Sequence, residues 1–286
     1  MVKLLASDLD GTIIDNNIVT NDNLNVISKI NKKNINFAIC TGKTYSMTKN
    51  ICDKLKPTYG IFGNGTQIID LKTGKEIKRN IISNVQALSC LNIAQKNKLH
   101  VHIYTENKII SQEKLKYMAF RNYKLYKDQI QFETVKSLKE YIREQKPNIL
   151  KLVISGEEEL KEIKRKIEKE EDLIAIQIKK YNEYKDKIIN SEYEYLDIVP
   201  KHVTKYDALK QLSDYLKINN EEVMAVGDNI NDIEMIKNAG IGVAIGGSYK
   251  EVKDVATYVT KNTVKSGGFA EAVYKFIEFW VNLEIV

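Results

Sequence analysis

The sequence has no hydrophobic run long enough to cross a membrane as a helix. Such a helix needs about 20 mainly apolar residues, and the apolar runs of this chain are much shorter. The first residues, MVKLLASDLDG, also lack the apolar stretch and the small-residue cleavage pattern of a signal peptide. We therefore expect a cytoplasmic protein with no membrane partner.

Cysteine is also scarce. The three cysteines, Cys40, Cys52 and Cys90, form no CxxC pair and are too few for a disulfide framework. This excludes the disulfide-stabilised secreted class and fits a reducing compartment.

The excess of positive charge is confined to the middle of the chain. Residues 81–190 hold 22 Lys and Arg against 16 Asp and Glu, which accounts for the whole net charge of +6. This surplus is either a solvated lysine-rich surface or a basic surface that attracts an anionic ligand. Acids interrupt the basic residues in EEELKEIKRKIEKEED, and no aromatic residues are interleaved with them. We therefore expect no nucleic-acid partner.

The first 80 residues alternate between predicted strands and helices. The strands are the apolar runs in VKLLAS, INFAIC and YGIFGNG. Between them lie the helical patterns NDNLNVISKINKKN, with Thr20 or Asn21 as N-cap, and TYSMTKNICDKL, which Pro57 terminates. Strands that alternate with helices predict a parallel sheet wrapped by helices.

The same alternation returns near residue 193, while the middle of the chain differs. YEYLDIV and EEVMAVG are predicted strands, and GGFAEAVYKFIEFWV is a predicted terminal helix. Residues 81–190 read as an α+β mixture. We therefore predict an α/β fold with a doubly wound, mainly parallel sheet. Its core would comprise residues 1–80 and 191–286, with residues 81–190 as an inserted domain.

Chemically informative residues stand at the ends of these elements. Asp8 and Asp10, Thr41 and Asp228 follow three different predicted strands, and Lys205 follows Thr204 at a helix start. Ligands of open parallel sheets bind beyond the carboxyl ends of the strands. We therefore expect these side chains to meet at one edge of the sheet.

The residue types at this edge predict phosphate chemistry. Clustered carboxylates need a cation, and oxygen ligands without His or Cys favour Mg²⁺. With that charge present, Asp8 would attack a phosphate monoester, and Asp10 would donate and then accept a proton. Thr41, Gly42 and Lys205 would bind the phosphoryl oxygens. Each motif alone is usually a turn, a cap or a surface lysine, but the ordered set is specific.

This arrangement resembles the haloacid dehalogenase-like hydrolases, specifically their Cof-type phosphatases with a large α/β cap. The first family motif, DxDGT, stands here as Asp8 to Thr12, and the last, GDxxND, as Gly227 to Asp232. Between them, Thr41 in CTGK and Lys205 in PKHVTKYDALK match the second and third motifs. Lys43 replaces a common arginine, and His202 and Tyr206 replace two glycines.

The resemblance implies a role for each matched residue. Asp8 would be the nucleophile and a Mg²⁺ ligand. Asp10 would be the general acid and base and a ligand through its carbonyl. Asp228 would be the third protein ligand of the Mg²⁺, and Asp232 would contact the ligands without binding the ion. Asn231 would bind the phosphate together with Thr41, Gly42 and Lys205. Residues 81–190 would be a cap that closes over the site and selects the substrate.

Several alternatives stay open at this level. Sugar phosphates are the first expected substrates, followed by pyridoxal phosphate and nucleotides. A phosphomutase or phosphotransferase would use the same two acids, and a catalytically inactive relative would keep them. A signalling receiver domain is disfavoured, because its functional residues follow one another in a different order. We expect a monomer or a weak homodimer.

Overall fold

The computed structural model describes residues 1–16, 18–33, 35–112, 129–156, 160–178 and 194–278. Among these residues, no helix has the length and apolar character required to span a membrane. The chain divides into two compact units. Unit 1 comprises Met1–Cys40, Ile51–Tyr59 and Leu209–Val286, and unit 2 comprises Thr41–Asn50 and Gly60–Ala208.

The elements of the described residues are named here in chain order. The strands are β1 (Leu4–Ser7), β2 (Ile14–Asp15), β3 (Ile18–Val19), β4 (Asn36–Cys40), β5 (Tyr59–Phe62), β6 (Gln67–Asp70), β7 (Glu76–Arg79), β8 (His100–Tyr104), β9 (Lys108–Ser111), β10 (Gln131–Thr134), β11 (Lys151–Ser155), β12 (Leu173–Ile178), β13 (Tyr195–Pro200), β14 (Val223–Gly227), β15 (Ile241–Ala244) and β16 (Tyr258–Val259). The helices are α1 (Asn21–Lys32), α2 (Tyr45–Leu55), α3 (Asn84–Lys96), α4 (Leu138–Gln145), α5 (Lys161–Glu170), α6 (Lys205–Leu216), α7 (Ile233–Asn238), α8 (Lys250–Val255) and α9 (Gly268–Phe276).

Unit 1 is built on parallel strands in the order β16-β15-β14-β1-β4. Strand β1 lies in the interior of this order, with Leu4 opposite Val223 of β14 on one side and Asn36 of β4 on the other. All four residues of β1 are buried. This explains the apolar residues Leu4, Leu5 and Ala6, because a parallel strand covered on both faces has no solvent-facing side. The predicted α/β class with a mainly parallel sheet is confirmed.

Local signals set the ends of the first two helices as predicted. Thr20 is the N-cap of α1, and its hydroxyl accepts a hydrogen bond from the backbone N–H of Asn23 at 3.2 Å. Helix α2 ends at Leu55, two residues before Pro57. The predicted terminal helix begins at Gly268 and runs as α9 to Phe276, and residues 279–281 of that prediction lie outside the described residues.

Unit 2 contains the neighbouring strands β5, β6 and β7 and a separate six-stranded sheet in the order β10-β9-β8-β11-β13-β12. In the six-stranded sheet only the β9–β10 pair is parallel, and the other pairs are antiparallel. Helices α3, α4 and α5 contribute to one apolar core with this sheet. The α+β texture predicted for the middle of the chain is therefore present.

Strand β13 is placed differently from the sequence interpretation. YEYLDIV was expected to belong with the returning core strands, but Tyr195–Pro200 pairs antiparallel with β11 and β12 in the six-stranded sheet. This sheet therefore extends about ten residues beyond the predicted boundary at residue 190. The assignment of residues 81–190 to an inserted cap stays a prediction.

Candidate active site

Asp8 and Asp228 lie at the ends of two neighbouring strands. Asp8 follows β1 and Asp228 follows β14, and these parallel strands pair up to Ser7 opposite Val226. The backbone N–H of Asp8 also donates to the carbonyl of Val226 at 2.9 Å. Because the two strands end at the same level, the carboxylates that follow them lie side by side. The structure thus brings Asp8 and Asp228 together, and the roles predicted for them stay predictions.

A third carboxylate completes the group. Oxygen atoms of Asp8, Asp228 and Asp232 all lie within 4.8 Å of one another. The three residues are only 5%, 3% and 0% exposed. Three negative charges at this separation and burial repel one another strongly unless a cation or protons compensate them. An all-oxygen donor set of this kind fits a hard divalent cation such as Mg²⁺.

Hydrogen bonds orient two of these carboxylates. Asp232 Oδ2 accepts from the backbone N–H groups of Asp228 and Asn229, at 3.0 and 2.9 Å. Asp228 Oδ1 accepts from the hydroxyl of Thr12 at 3.0 Å. Asp232 therefore braces the loop that carries Asp228, and Thr12 fixes the rotamer of Asp228. Thr12 belongs to the DxDGT motif, but the sequence alone predicted no role for its hydroxyl.

The first motif turns sharply after its acids. The N–H of Gly11 donates to the carbonyl of Ile14 at 2.8 Å, and Gly11 has a left-handed φ of +87°. A Cβ added at Gly11 would lie 2.5 Å from Asp228 Oδ2. Glycine is therefore required both for the backbone conformation and for the close approach of the carboxylate.

Two predicted residues of unit 1 flank the acidic group. Asp10 is half-buried at the start of the same turn, and its carboxylate is not one of the three clustered ones. This is compatible with the expected use of its backbone carbonyl. Asn231 is half-buried in the 3₁₀ turn Ile230–Asp232. The roles expected for both residues stay predictions.

The other predicted phosphate-binding residues belong to unit 2. Thr41 is 2% exposed and directly follows β4. Its carbonyl accepts from the N–H of Asn64 at 3.0 Å, and its hydroxyl oxygen accepts from the N–H of Lys43 at 3.2 Å. The carbonyl of Gly42 accepts from Lys151 Nζ at 2.8 Å. The Thr41–Lys43 loop is thus held by its own backbone and by one buried lysine.

Lys205 is a fully buried lysine at the first position of α6. It is 1% exposed. Around it, the N–H of Thr204 donates to Asp207 Oδ2, and the N–H of Asp207 donates to Thr204 Oγ1, each at 3.1 Å. A cation at a helix N-terminus is disfavoured by the helix dipole and by burial unless an anion lies nearby. Asp197 is one such anion: burial raises the pKa of its carboxyl, and the positive charges of Lys151 and Lys205 act against that rise.

A buried ion pair in unit 2 was missed by the sequence analysis. Lys151 Nζ lies 2.8 Å from Asp197 Oδ2, and the same oxygen accepts from Asn64 Nδ2 at 2.7 Å. Burial raises the pKa of the Asp197 carboxyl, while the Lys151 charge and these two hydrogen bonds act against that rise. A lone strand lysine and an Asn in a turn carry no local signal, so only their long-range contacts reveal them.

The loop before α6 departs from the family sequence pattern at two positions. His202 stands where the family has a glycine, and it adopts a left-handed φ of +58°. His is among the non-glycine residues that are enriched in this region. Tyr206, at the second replaced glycine, is the half-buried second residue of α6.

A family model described as haloacid dehalogenase-like hydrolase matches residues 5–273. The chain belongs to the haloacid dehalogenase-like hydrolases. The resemblance inferred from the four motifs, including the Cof-type branch, is confirmed. The long match also explains why all four motifs occur in family order in this haloacid dehalogenase-like hydrolase.

Individual relatives and solved structures agree with this membership. A 5-amino-6-(5-phospho-D-ribitylamino)uracil phosphatase from Bacillus subtilis is 25% identical, over 98% of this chain and 96% of its own length. Another phosphatase from Bacillus subtilis is 25% identical, over 93% of this chain and 97% of its length. A solved haloacid dehalogenase-like hydrolase from B. subtilis has a TM-score of 0.81 at 23% identity, over 97% of this chain and 100% of that one. The relatives indicate a phosphatase enzyme, and the solved structure shows the shared fold.

Proposed function

We propose that this haloacid dehalogenase-like hydrolase is a Mg²⁺-dependent phosphatase of small phosphorylated metabolites that works through an aspartyl phosphate on Asp8. The observation that carries the proposal is the buried group of Asp8, Asp228 and Asp232, with oxygens within 4.8 Å of one another. Such a group is poorly explained by a structural role, because burying three like-charged carboxylates side by side is costly.

Asp8, Asp228 and the backbone carbonyl of Asp10 would hold the metal ion. Bound Mg²⁺ would supply positive charge that offsets the carboxylates and the phosphate oxygens. The resemblance gives Asp232 no direct bond to the ion, and its Oδ2 accepts two backbone N–H groups. Its role would be to hold Asp228 in place, and Thr12 would do the same from the other side.

Asp8 and Asp10 would carry the two halves of the reaction. A carboxylate oxygen of Asp8 forms a bond to phosphorus while the bond from phosphorus to the leaving oxygen breaks. Asp10 donates its proton to that oxygen. Water then attacks phosphorus, Asp10 takes a proton from the water, and the bond from phosphorus to Asp8 breaks. Inorganic phosphate is released, and both acids return to their starting states.

Four hydrogen-bond donors would bind the phosphoryl oxygens. Thr41 would contribute its hydroxyl proton, Gly42 its backbone N–H and Asn231 its side-chain amide. Lys205 would contribute a buried ammonium whose burial strengthens its attraction for an anion. The position of Lys205 at the start of α6 supports this role, because a helix N-terminus also favours anions.

The substrate class follows from charge and from relatives. The basic surplus of residues 81–190 suits a small phosphorylated metabolite. We propose that these residues select the substrate as a cap. Sugar phosphates are the first candidates, and the name of one relative adds 5-amino-6-(5-phospho-D-ribitylamino)uracil, which carries a phosphorylated polyol.

The test is a phosphate-release screen over sugar phosphates, the phosphorylated ribitylaminouracil, pyridoxal phosphate and nucleotides, with Mg²⁺ and with a chelator. We expect release that requires Mg²⁺ and that Asp8→Asn abolishes with the fold intact. Asp53→Asn is the matched control, because Asp53 is an exposed acid of the same unit. Undiminished release from Asp8→Asn would contradict the nucleophile. Conversion of a sugar bisphosphate without release of phosphate would indicate a phosphomutase.

A further inference from the structure

One buried carboxylate in unit 2 binds the side chains of two residues that contact the loop after β4, Lys151 through its Nζ and Asn64 through its backbone N–H. Asp197 Oδ2 accepts from Asn64 Nδ2 at 2.7 Å and from Lys151 Nζ at 2.8 Å. The three residues are 3%, 1% and 6% exposed, respectively. Asp197 and Lys151 come from the neighbouring strands β13 and β11 of the six-stranded sheet. We call Asn64, Lys151 and Asp197 the loop anchor.

The loop anchor fixes the peptide groups on both sides of Gly42. Asn64 N–H donates to the carbonyl of Thr41 at 3.0 Å, and Lys151 Nζ donates to the carbonyl of Gly42 at 2.8 Å. A trans peptide is planar, so its N–H points opposite to its carbonyl. The N–H of Gly42 must therefore point away from Asn64. Since the hydroxyl oxygen of Thr41 accepts from Lys43 N–H, its proton is directed elsewhere.

Stability alone does not account for the loop anchor. A buried ion pair is often no more stabilising than apolar residues of the same volume. Within the described part of the chain, Asp197 Oδ1 and the hydroxyl of Tyr104 are also buried without a hydrogen-bond partner. Tyr104 pairs directly with Lys151 across β8 and β11, and its ring lies 4.9 Å from Lys151 Nζ. Polar atoms left unsatisfied at this depth destabilise a fold.

We propose that Asn64, Lys151 and Asp197 are positioning residues for phosphate binding, which rests on the proposed phosphatase function. Their contacts set the direction of the Gly42 N–H and of the Thr41 hydroxyl proton. They act through the Thr41–Lys43 loop and do not touch the substrate. They also connect the six-stranded sheet to this loop by buried side-chain bonds.

The mildest test is Asn64→Gly. Asn64 has a left-handed φ of +58°, which glycine adopts readily, so the turn should fold while its side-chain bond to Asp197 is lost. Misplaced binding groups reduce rates by up to about 100-fold. We expect kcat/KM for a sugar phosphate to fall about 10- to 100-fold and inhibition by inorganic phosphate to weaken similarly. The Mg²⁺ concentration for half-maximal activity should stay within about two-fold, because the acidic group is formed by other residues.

Lys56→Gly is the matched control, since Lys56 is exposed, has a left-handed φ of +51° and lies outside residues 81–190. Lys151→Met gives an independent test, with Lys250→Met as its control. Lys250 pairs with Asp254 on α8 at 2.6 Å and also lies outside residues 81–190. Both controls should retain the wild-type kinetic constants.

The outcomes separate this inference from the function on which it rests. An active wild-type protein in which Asn64→Gly matches Lys56→Gly in kcat/KM and in phosphate inhibition would overturn the loop anchor. The loop anchor would also be overturned if Asn64→Gly and Lys151→Met shifted the Mg²⁺ requirement as much as they shifted phosphate inhibition. If Lys151→Met does not fold, Asn64→Gly decides alone. A wild-type protein that releases no phosphate from any substrate would contradict the proposed function itself.

Discussion

At the scale of single residues, Gly11 offers a sharp test of the acidic group. An alanine at this position would adopt an unfavourable left-handed conformation and would place its Cβ 2.5 Å from Asp228 Oδ2. We expect Gly11→Ala to displace Asp228, to raise the Mg²⁺ requirement and to lower kcat/KM by at least about 10-fold. Phosphate release at varied Mg²⁺ concentration measures both effects.

Gly74 provides the control for backbone strain at Gly11. It also has a positive φ, of +73°, but a Cβ there would meet nothing within 4 Å. Gly74→Ala should cost about 1 kcal/mol of stability, as expected for a left-handed alanine, and leave phosphate release unchanged. Equal kinetic losses in the two alanine variants would show that Gly11 matters only for its backbone.

Residues of the site differ in how much the sequence reveals of them. Asp8 and Asp228 could be predicted because each follows an apolar strand within a recognisable motif. Lys151 could not, since it is a lone lysine whose partner Asp197 lies 46 residues away. Thr12 was visible only as part of a motif. A bond between residues 216 positions apart, such as that from Thr12 to Asp228, depends on strand order, which no local pattern encodes.

At the scale of elements, Glu271 connects α9 to the segment after β16. Its carboxylate accepts from the backbone N–H groups of Lys261 and Asn262 at 2.8 and 2.9 Å, and from the hydroxyl of Tyr258 at 2.8 Å. Burial acts to raise the pKa of Glu271, but these three donors outweigh it and lower the pKa below its usual 4.5. The ionised form is therefore favoured in the folded state.

We predict that Glu271→Gln is less stable than wild type at pH 7 by about 1 kcal/mol, allowing for partial exposure. Because folding lowers this pKa, the stabilisation is present above the unfolded value of 4.5 and is lost as pH falls through the folded value. Urea unfolding of both proteins between pH 7 and acidic pH measures the difference. Glu234→Gln, at an exposed position of α7, should show no such difference. A difference in unfolding free energy between wild type and Glu271→Gln that stays constant down to low pH would contradict the lowered pKa of Glu271.

Element type was easier to predict than element partnership. Apolar runs and caps located β1, α1 and α2, because those signals are local. Strand β13 was recognised as a strand, but its partners are β11 and β12 in the six-stranded sheet. Its four consecutive buried positions are equally compatible with either sheet, and the adjacent Lys205 motif suggested the core. Pairing depends on residues far away in sequence, so the pattern of one strand does not determine it.

At the scale of the whole molecule, we predict that the buried acidic group makes folding stability depend on Mg²⁺. A ligand that binds only the folded state at 100 times its Kd stabilises it by about 2.7 kcal/mol, so we expect Mg²⁺ to raise Tm by several degrees. Asp228→Asn keeps Oδ1 for the hydroxyl of Thr12 but removes one charge from the group. Without Mg²⁺ this variant should be at least as stable as wild type, since repulsion is relieved, while its response to Mg²⁺ should shrink. Thermal unfolding with Mg²⁺ and with a chelator tests both, and Asp53→Asn should behave like wild type. An Asp228→Asn protein that responds fully to Mg²⁺ would remove the physical basis for the metal site.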